Sequence, residues 1–317
     1  MTIDYASAFD NCALYLPAVN QQYASYALNG SFSRSLPLSA QDLNFLSSGS
    51  SLFYYPWALY SAGVAAPTSR GSEKPDMISE RNRSRTVVLC DSGGFQVMND
   101  PKFFKGEETT LRILRWMEGI ADYSMVLDFP AGGIGRGTMH AHAIRLAKEG
   151  FGNANAASGI DPTVIPDVGL WPIATLLDAS DLDDMCASNG QSREFNACLM
   201  QTMINNETFV RHHTPGATKF LNALHGRNEA ESRTWYKAVR DFPFSGWAFG
   251  SGHIKNFSLL LSRIIDLRDD GILSEVEWLH IFGTAKLESA CLYTTLLQCI
   301  REHVNPTLRL SFDSAAP

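Results

Sequence analysis

The chain has 317 residues, of which 45% are hydrophobic and 19% are charged, and its formal net charge is −7. This composition excludes a disordered chain and does not favour a protein that coats nucleic acids through general positive charge, although a local basic patch is compatible with it. No run of about 18 apolar residues is present, and the N-terminus carries acids where a secretory signal carries basic residues. We therefore expect a single globular domain over residues 1–317, in the cytoplasm and without a membrane partner.

Six short apolar runs, each ending in a polar or glycine-rich tip, are predicted to be β-strands. In chain order they are VVLCDSGG (87–94), YSMVLDFP (123–130), FLNALHGR (220–227), GWAFGSG (246–252), WLHIFGT (278–284) and LRLSFDSAAP (308–317). Helical patterns with one apolar face lie between these runs. The clearest are the sets Leu111, Leu114, Met117 and Ala121; Phe257, Leu260, Leu261 and Ile264; and Leu287, Ala290, Cys291, Leu297 and Ile300. Asn228, with Glu231 three residues later, predicts the start of another helix.

The alternation of strands and helices is typical of βα units, and it predicts a parallel sheet that is either an eightfold barrel or an open doubly wound sheet. Polar residues follow the ends of different strands along most of the chain; they are Asp91, Asp128, His225, Ser251, Thr284 and Asp313. In a closed barrel all of these ends meet at one mouth, whereas in an open sheet only the ends beside the switch point meet. We therefore predict the α/β class and a (β/α)8 TIM barrel.

Residues 131–219 do not fit this alternation. They contain helical patterns joined by a stretch rich in Gly, Pro and Asp, SGIDPTVIPDVGLWP (158–172). We expect this region, which follows the strand ending at Asp128, to be an insertion that folds over the mouth as a lid. The sequence stops soon after the last predicted strand, so we also expect either a fragment or a barrel completed by another segment or subunit, a second copy of the chain included.

The string DSGGFQ (91–96), at the end of a predicted strand, resembles the signature of the tRNA-guanine transglycosylase superfamily. Four further segments follow in the order of that family. LNALHGR (221–227) is similar to its strand ending in Gln-Gly, GWAFGSG (246–252) to its G-Y-A-x-G-G segment, IFGT (281–284) to M-G-V-G-T, and SFDS (311–314) to the segment that holds the nucleophilic aspartate. The resemblance covers residues 91–313, and it implies a barrel enzyme, a pentosyltransferase that acts on guanine.

The departures from the family pattern are also informative. The tRNA-acting members carry a zinc site of C-x-C-x-x-C plus a histidine after the nucleophile strand, whereas here the six cysteines are scattered and the sequence ends four residues past Asp313. We therefore expect no zinc subdomain, no metal site and no cofactor in this chain. His225 stands where the family has glutamine, and it has a second interpretation as a structural histidine at the barrel rim. Ser251 replaces a glycine, and His280 is interpreted as a core or rim residue. Residues 220–250 are more similar to the DNA 7-deazaguanine transglycosylases of bacteria and phages, the DpdA type.

The resemblance implies a role for each acid. Base exchange must break an N-glycosidic bond through a transition state resembling an oxocarbenium ion, which an ionised carboxylate on the opposite face of the sugar stabilises and can trap covalently. The resemblance assigns this nucleophile to Asp313, and it makes Asp91 the general acid and base for the departing and incoming bases. It also implies that the base is bound by residues at the strand tips, namely Ser92, Gly93, Gly94, Phe95, Gln96, Asp128, His225, Gly226, Gly250 and Ser251. Gly93 and Gly94 let the backbone come close to the base.

We therefore expect an enzyme that replaces guanine in DNA with a 7-deazaguanine base such as 7-cyano-7-deazaguanine, with the target nucleotide flipped out or taken from a single strand. Its partners are then DNA and the small-molecule base, and Arg81, Arg83 and Arg85 are candidate phosphate contacts. Three alternatives stay open: a tRNA substrate, a noncatalytic barrel subunit that binds nucleic acid, and a glycoside hydrolase that uses Asp91 and Asp313 as its carboxylate pair.

Overall fold

The computed structural model describes residues 10–32, 37–62, 75–99, 104–135, 137–149 and 179–314. Eight parallel strands form one closed barrel in chain order, with the last strand pairing with the first. The strands are β1 (Leu14–Val19), β2 (Trp57–Ser61), β3 (Val87–Asp91), β4 (Tyr123–Met125), β5 (Lys219–Leu224), β6 (Gly246–Phe249), β7 (Trp278–Ile281) and β8 (Arg309–Ser314). The predicted (β/α)8 barrel is thereby confirmed, and all six predicted strands take part in it.

Helices cover the outside of the barrel. Within the described ranges they are α1 (Gln21–Asn29), α2 (Gly94–Asn99), α3 (Glu107–Ile120), α4 (Gly137–Glu149), α5 (Ala179–Asn189), α6 (Arg193–His212), α7 (Glu229–Val239), α8 (Phe257–Asp269) and α9 (Leu287–His303). The predicted cap at Asn228 is present, since its side chain accepts a hydrogen bond from the Glu231 backbone N–H and α7 begins at the next residue. None of these helices, all from the described part of the chain, has both the length and the apolar character needed to cross a membrane.

Apolar side chains fill the inside of the barrel. Because side chains alternate between the two faces of a strand, every second residue points inward. One buried cluster draws its members from seven of the strands; they are Leu14, Leu16, Leu59, Leu89, Met125, Leu221, Ala248 and Trp278. A second, larger cluster packs between the strands and the helices. Barrels with a filled interior carry their sites at the C-terminal ends of the strands, so those ends are the place to look for a site.

Two of the eight strands, β1 and β2, were not identified by sequence analysis. β1 contains Pro17, which lacks a backbone N–H, and the exposed side chain of Tyr15 interrupts its buried positions. β2 is only five residues long and precedes a segment, residues 63–74, that lies outside the described ranges. Both strands are nevertheless paired on both sides, β1 with β8 and β2, and β2 with β1 and β3. Their pairing closes the barrel.

The region predicted as an insertion contains α4, α5 and α6. Of these, α6 is buried at every position from Phe195 to Met203, and it packs against α3 and α7. It therefore takes the place of the barrel helix between β4 and β5, and α4 and α5 pack against it as additional helices. Residues 150–178 of the predicted insertion lie outside the described ranges, as do residues 315–317 of the last predicted strand. The lid therefore stays a prediction.

The buried face of α9 differs from the predicted one. Its buried residues include Tyr293, Leu297 and Ile300, whereas Leu287 is 80% exposed and Cys291 is also exposed. With 3.6 residues per turn, position 291 lies about 160° around the helix from position 293, and position 287 lies about 140° from position 300. The prediction is therefore right for Leu297 and Ile300 and wrong for Leu287 and Cys291. Apolar residues occur on both sides of this helix, so their spacing alone does not select one side.

Candidate active site

Three aspartates meet at the mouth of the barrel, where the C-terminal ends of the strands converge. Asp91 is the last residue of β3, Asp313 lies near the end of β8, and Asp128 follows β4. Asp128 and Asp313 are buried and Asp91 is partly buried, and the charges of the first two both act on the Asp91 carboxyl. Among the described residues, no group of three or more His, Cys, Asp or Glu side chains is arranged to hold a metal ion. The predicted strand tips are thus brought together, as a closed barrel requires.

The Asp91 carboxyl is held by two donors. The Ser61 hydroxyl donates to Oδ2 over 3.1 Å, and the Gly93 N–H donates to Oδ1 over 3.1 Å. Gly93 has a φ of 81°, in the left-handed region that glycine adopts without strain. Burial, followed by the negative charge of Asp128, raises the pKa of Asp91 to about 6. Asp91 can therefore both donate and accept a proton near neutral pH.

The Asp128 carboxylate is fixed by Ser92 and His225. The Ser92 hydroxyl donates to Oδ1 over 3.2 Å, and His225 Nε2 lies 2.6 Å from Oδ2. On the other side of the ring, His225 Nδ1 lies 2.9 Å from the Ser251 hydroxyl oxygen, so each ring nitrogen of His225 has a polar partner. This geometry agrees with the interpretation of His225 as a structural histidine hydrogen-bonded at the rim. It leaves neither ring nitrogen of His225 free for a bound base.

The loops after β5 and β6 lie against each other at the same mouth. Gly226 has a φ of 149°, and its carbonyl accepts the Gly252 N–H over 2.9 Å. Ser251 has a φ of 56°, a left-handed conformation that is uncommon for a residue with a side chain. Gly250 lies directly against the His225 ring, since a Cβ there would be 2.5 Å from Cε1. The four residues predicted to bind the base on these loops, 225, 226, 250 and 251, are therefore neighbours.

Asp313 is bound through one of its two carboxylate oxygens. Oδ1 accepts the Gly283 N–H over 3.0 Å, and His280 Nε2 lies 3.3 Å from the same oxygen. Within the described residues no group donates a hydrogen bond to Oδ2. The Asp313 backbone carbonyl accepts the Thr284 N–H over 2.6 Å, which joins the tips of β7 and β8. One oxygen of Asp313 is thus held, and the other is available to a bound molecule.

The helix α2, which begins three residues after Asp91, carries an exposed aromatic side chain and a buried amide oxygen. The Phe95 side chain is 61% exposed. Gln96 has a buried Oε1 that accepts no hydrogen bond from the described residues. A buried carbonyl oxygen without a donor is costly, so a donor supplied by a bound molecule would stabilise this arrangement.

The three arginines proposed as phosphate contacts lie at the other end of the barrel. Arg81 is buried, and its guanidinium pairs at 2.7 Å with Asp122, which immediately precedes β4. Arg83 donates to the Gly119 carbonyl near the end of α3, and Arg85 comes two residues before β3. The structure corrects the expectation for Arg81, whose guanidinium is buried and engaged by Asp122. Arg83 and Arg85 are exposed but do not lie with the acids at the mouth, and their contact with phosphate stays a prediction.

Ser61 and His280 contact the two proposed catalytic acids, and sequence analysis did not place either in the site. Both residues could have been assigned to the site from the register of the paired strands. Ser61 pairs with Asp91 across β2 and β3, and His280 pairs across β7 and β8 with Ser311, two residues before Asp313. Paired residues on neighbouring strands point to the same face of the sheet. The sequence alone did not predict these contacts, because it reveals neither β2 nor the pairing of the strands.

Gly94→Ala is expected to disturb the site. A Cβ at Gly94 would lie 2.2 Å from the Asp128 backbone oxygen and 2.8 Å from its Oδ1, so the loop after β4 would have to move. We expect the free energy of unfolding to fall by about 1–3 kcal/mol, as is typical of overpacking, and the predicted binding of a base at Asp128 to weaken. Urea denaturation and titration with the base measure the two effects.

Gly119→Ala is the matched control for this variant. Apart from the backbone of its own helix, no atom of the described residues lies within 4 Å of a Cβ at that position. The change should therefore leave base binding unaltered and stabilise the protein by up to ~1 kcal/mol through the higher helix propensity of alanine. Equal unfolding free energies for the two variants would contradict the close contact between Gly94 and Asp128.

Comparison of the chain with models of known protein families found no match, and comparison with curated protein sequences found none either. The resemblance of residues 91–313 to the transglycosylase superfamily is therefore carried by the sequence segments themselves, and what it implies is a proposal. The fold provides a separate observation, which is that three aspartates converge at one mouth of the barrel.

Proposed function

We propose that this chain is a transglycosylase that exchanges guanine in DNA for a 7-deazaguanine base through a covalent intermediate on Asp313. The observation that carries the proposal is the presence, at one mouth, of two carboxyl groups in different environments. Asp313 has one oxygen held by the Gly283 N–H and the other unengaged, while burial raises the pKa of Asp91 to about 6. A carboxylate nucleophile and a second carboxyl group that carries a proton are the two groups that this exchange needs.

In the first half of the exchange, Asp313 Oδ2 attacks C1′ of the target nucleotide as the bond from C1′ to the guanine ring nitrogen breaks. The bonding electrons leave with guanine, and the Asp91 carboxylic acid donates a proton to the departing ring. The products are free guanine and an ester between the sugar and Asp313. Because the sugar stays bonded to Asp313, the nucleic acid remains attached to the protein until the next base arrives.

In the second half, the incoming 7-deazaguanine loses a ring N–H proton to the Asp91 carboxylate, and the ring nitrogen attacks C1′. The ester bond to Asp313 breaks, and its electron pair returns to the carboxylate. Asp91 ends the cycle protonated, as it began. The count of protons and electrons therefore closes within the two acids and the two bases.

The polar and aromatic groups at the mouth support the binding of a flat base. Phe95 offers an exposed ring for stacking, and Gln96 Oε1 and the Asp128 carboxylate are acceptors for the N–H groups along a guanine-like edge. Ser92 and His225 fix the direction of the Asp128 carboxylate. A base within a duplex does not reach such a site, so the target nucleotide is flipped out or taken from a single strand.

The test measures a covalent adduct and base incorporation with two polymers in parallel. The protein is incubated with guanine-containing single-stranded DNA or with tRNA, labelled 7-cyano-7-deazaguanine is added, and denaturing gels follow the adduct and the label. DNA is the proposed substrate because residues 220–250 resemble the DNA-acting enzymes. We expect a DNA adduct that is discharged by the added base, with the label retained in the DNA.

The other outcomes each contradict a different part of the proposal. Adduct and label with tRNA alone would transfer the activity to RNA. Release of guanine without incorporation would indicate a hydrolase. If folded protein binds the base but yields no adduct and no incorporated label with either polymer, the proposal is overturned. That result would favour a noncatalytic binding subunit.

A further inference from the structure

A chain of polar side chains is buried inside the barrel next to Asp313. Trp278 and His280 of β7 and Ser311 of β8 are fully buried, although the rest of the central cluster is apolar. Trp278 Nε1 donates to Ser311 Oγ over 2.7 Å, and Ser311 Oγ lies 2.8 Å from His280 Nδ1. Polar groups are costly to bury among apolar residues, so this arrangement calls for a physical explanation.

These hydrogen bonds determine which nitrogen of His280 carries the hydrogen. The indole N–H of Trp278 can only donate, so Ser311 accepts from it. Among the described residues the Ser311 hydroxyl hydrogen has His280 Nδ1 as its acceptor, and a ring that accepts at Nδ1 carries its hydrogen on Nε2. The hydrogen bonds of Trp278 and Ser311 thus make His280 Nε2 a hydrogen-bond donor, on the side of the ring that faces away from both residues.

The donor nitrogen of His280 faces the proposed nucleophile. Nε2 is buried and makes no hydrogen bond of good geometry within the described residues, yet it lies 3.3 Å from Asp313 Oδ1. Contacts of this kind are often long in a free enzyme and tighten when the substrate is bound. The Gly283 N–H donates to the same oxygen over 3.0 Å. Both donors therefore act on Oδ1 and leave Oδ2 for the substrate.

We propose that His280 is a positioning residue for the nucleophile, which together with Gly283 holds Asp313 Oδ1 and directs Oδ2 at C1′ of the sugar. The inference rests on the proposed function, because it assigns the attacking oxygen of the same reaction. Trp278 and Ser311 support it by keeping the imidazole in the tautomer that donates to Asp313. The buried polar chain is then the support of the nucleophile.

The charged groups around His280 leave Asp313 as its acceptor. On β6 the residue paired with His280 is Ala248, which carries no polar side chain. On β8, Arg309 lies on the same face as Asp313 but at the opposite end of the strand, and it is a cation that does not accept. Asp91 acts on Asp313 from across the mouth.

Two variants separate the contributions of the two ring nitrogens. His280→Gln keeps a side-chain N–H near the position of Nε2, whereas His280→Asn keeps an amide near Nδ1 that pairs with Ser311 but is too short to reach Asp313. We expect adduct formation to slow by about 10- to 100-fold in H280N and to recover to within about fivefold of wild type in H280Q. The dissociation constant for DNA should change by no more than about twofold in either variant. Equal rates in the two variants, or a loss of DNA binding that parallels the rate, would overturn the inference.

A second measurement does not depend on turnover. Nitrogen-15 NMR of the histidine rings should find His280 in the Nε2–H tautomer, with a resonance that shifts in Asp313→Asn and stays in place in Asp128→Asn. An Nδ1–H tautomer would overturn the inference whether or not an adduct forms. The expected tautomer in a protein that forms no adduct would sustain the contact and count against the proposed reaction.

Discussion

Asp313→Asn is expected to abolish the covalent adduct and base exchange, with adduct formation slowed by at least about 10³-fold. The side-chain amide is a much weaker nucleophile than a carboxylate, and it carries no negative charge to stabilise an oxocarbenium-like transition state. The fold should persist, because asparagine has the same shape and its Oδ1 can still accept the Gly283 N–H. Single-turnover measurements on denaturing gels give the rate, and thermal unfolding checks the fold.

Asp128→Asn is the control at the same mouth. We assign Asp128 to base binding and not to bond formation, so this variant should need higher substrate concentrations while an adduct remains detectable at saturating DNA. A wild-type rate in D313N would reject Asp313 as the nucleophile. Complete loss of the adduct in D128N at saturation would show that the two acids do not have separate roles.

Asp91→Asn is expected to slow adduct formation by about 10²- to 10⁴-fold, the usual contribution of a positioned general acid. The guanine would then have to leave without a proton from the protein. Asparagine can still accept the Gly93 N–H and donate to the Ser61 oxygen, so the loop should keep its conformation. A substrate with a better leaving base should recover much of the lost rate, and an unchanged deficit with such a substrate would contradict the role of Asp91 as the acid.

The same carboxyl predicts a pH dependence. Above the Asp91 pKa of about 6, the kcat/KM for DNA should fall about tenfold per pH unit, because only protonated Asp91 can donate to the departing guanine. Ser61→Ala removes a hydrogen bond that lowers this pKa, so the alkaline limb of the plot of kcat/KM against pH should move to higher pH. Asp128→Asn removes a neighbouring charge that raises the pKa, so the limb should move to lower pH. A limb that stays in place in both variants would identify another group as the titrating acid.

The barrel and the three acids at its mouth were predictable because the end of each apolar run indicates both that a strand is present and where it ends. The run that ends in Asp91, for example, indicates both a buried strand and the point where it reaches the mouth. The contacts of Ser61 and His280 were not predictable in this way. They depend on the register between paired strands, and β2 was not recognised from its five residues.

The predictions that the structure corrects have a common physical origin. Arg81 is basic, yet its guanidinium forms an ion pair with Asp122 inside the protein, and this partner is known only from the fold. Leu287 is apolar, yet it lies on the outer side of α9 because Tyr293 and Ile300 occupy the barrel side. In each case the residue type was read correctly, but the neighbour that decides its surroundings is distant in the sequence.

The two strands that sequence analysis missed set the spacing between the two proposed catalytic acids. β3 carries Asp91 and β8 carries Asp313, and β2 and β1 are the strands that separate them in the sheet. Neither strand supplies a nucleophile, but their hydrogen bonds determine the width of the gap into which a nucleoside must fit. Local opening of this two-strand span, where Pro17 already omits one donor, would stop the chemistry while both acids stayed on intact strands. Activity would then report the integrity of a part of the barrel that never touches the substrate's reacting bond.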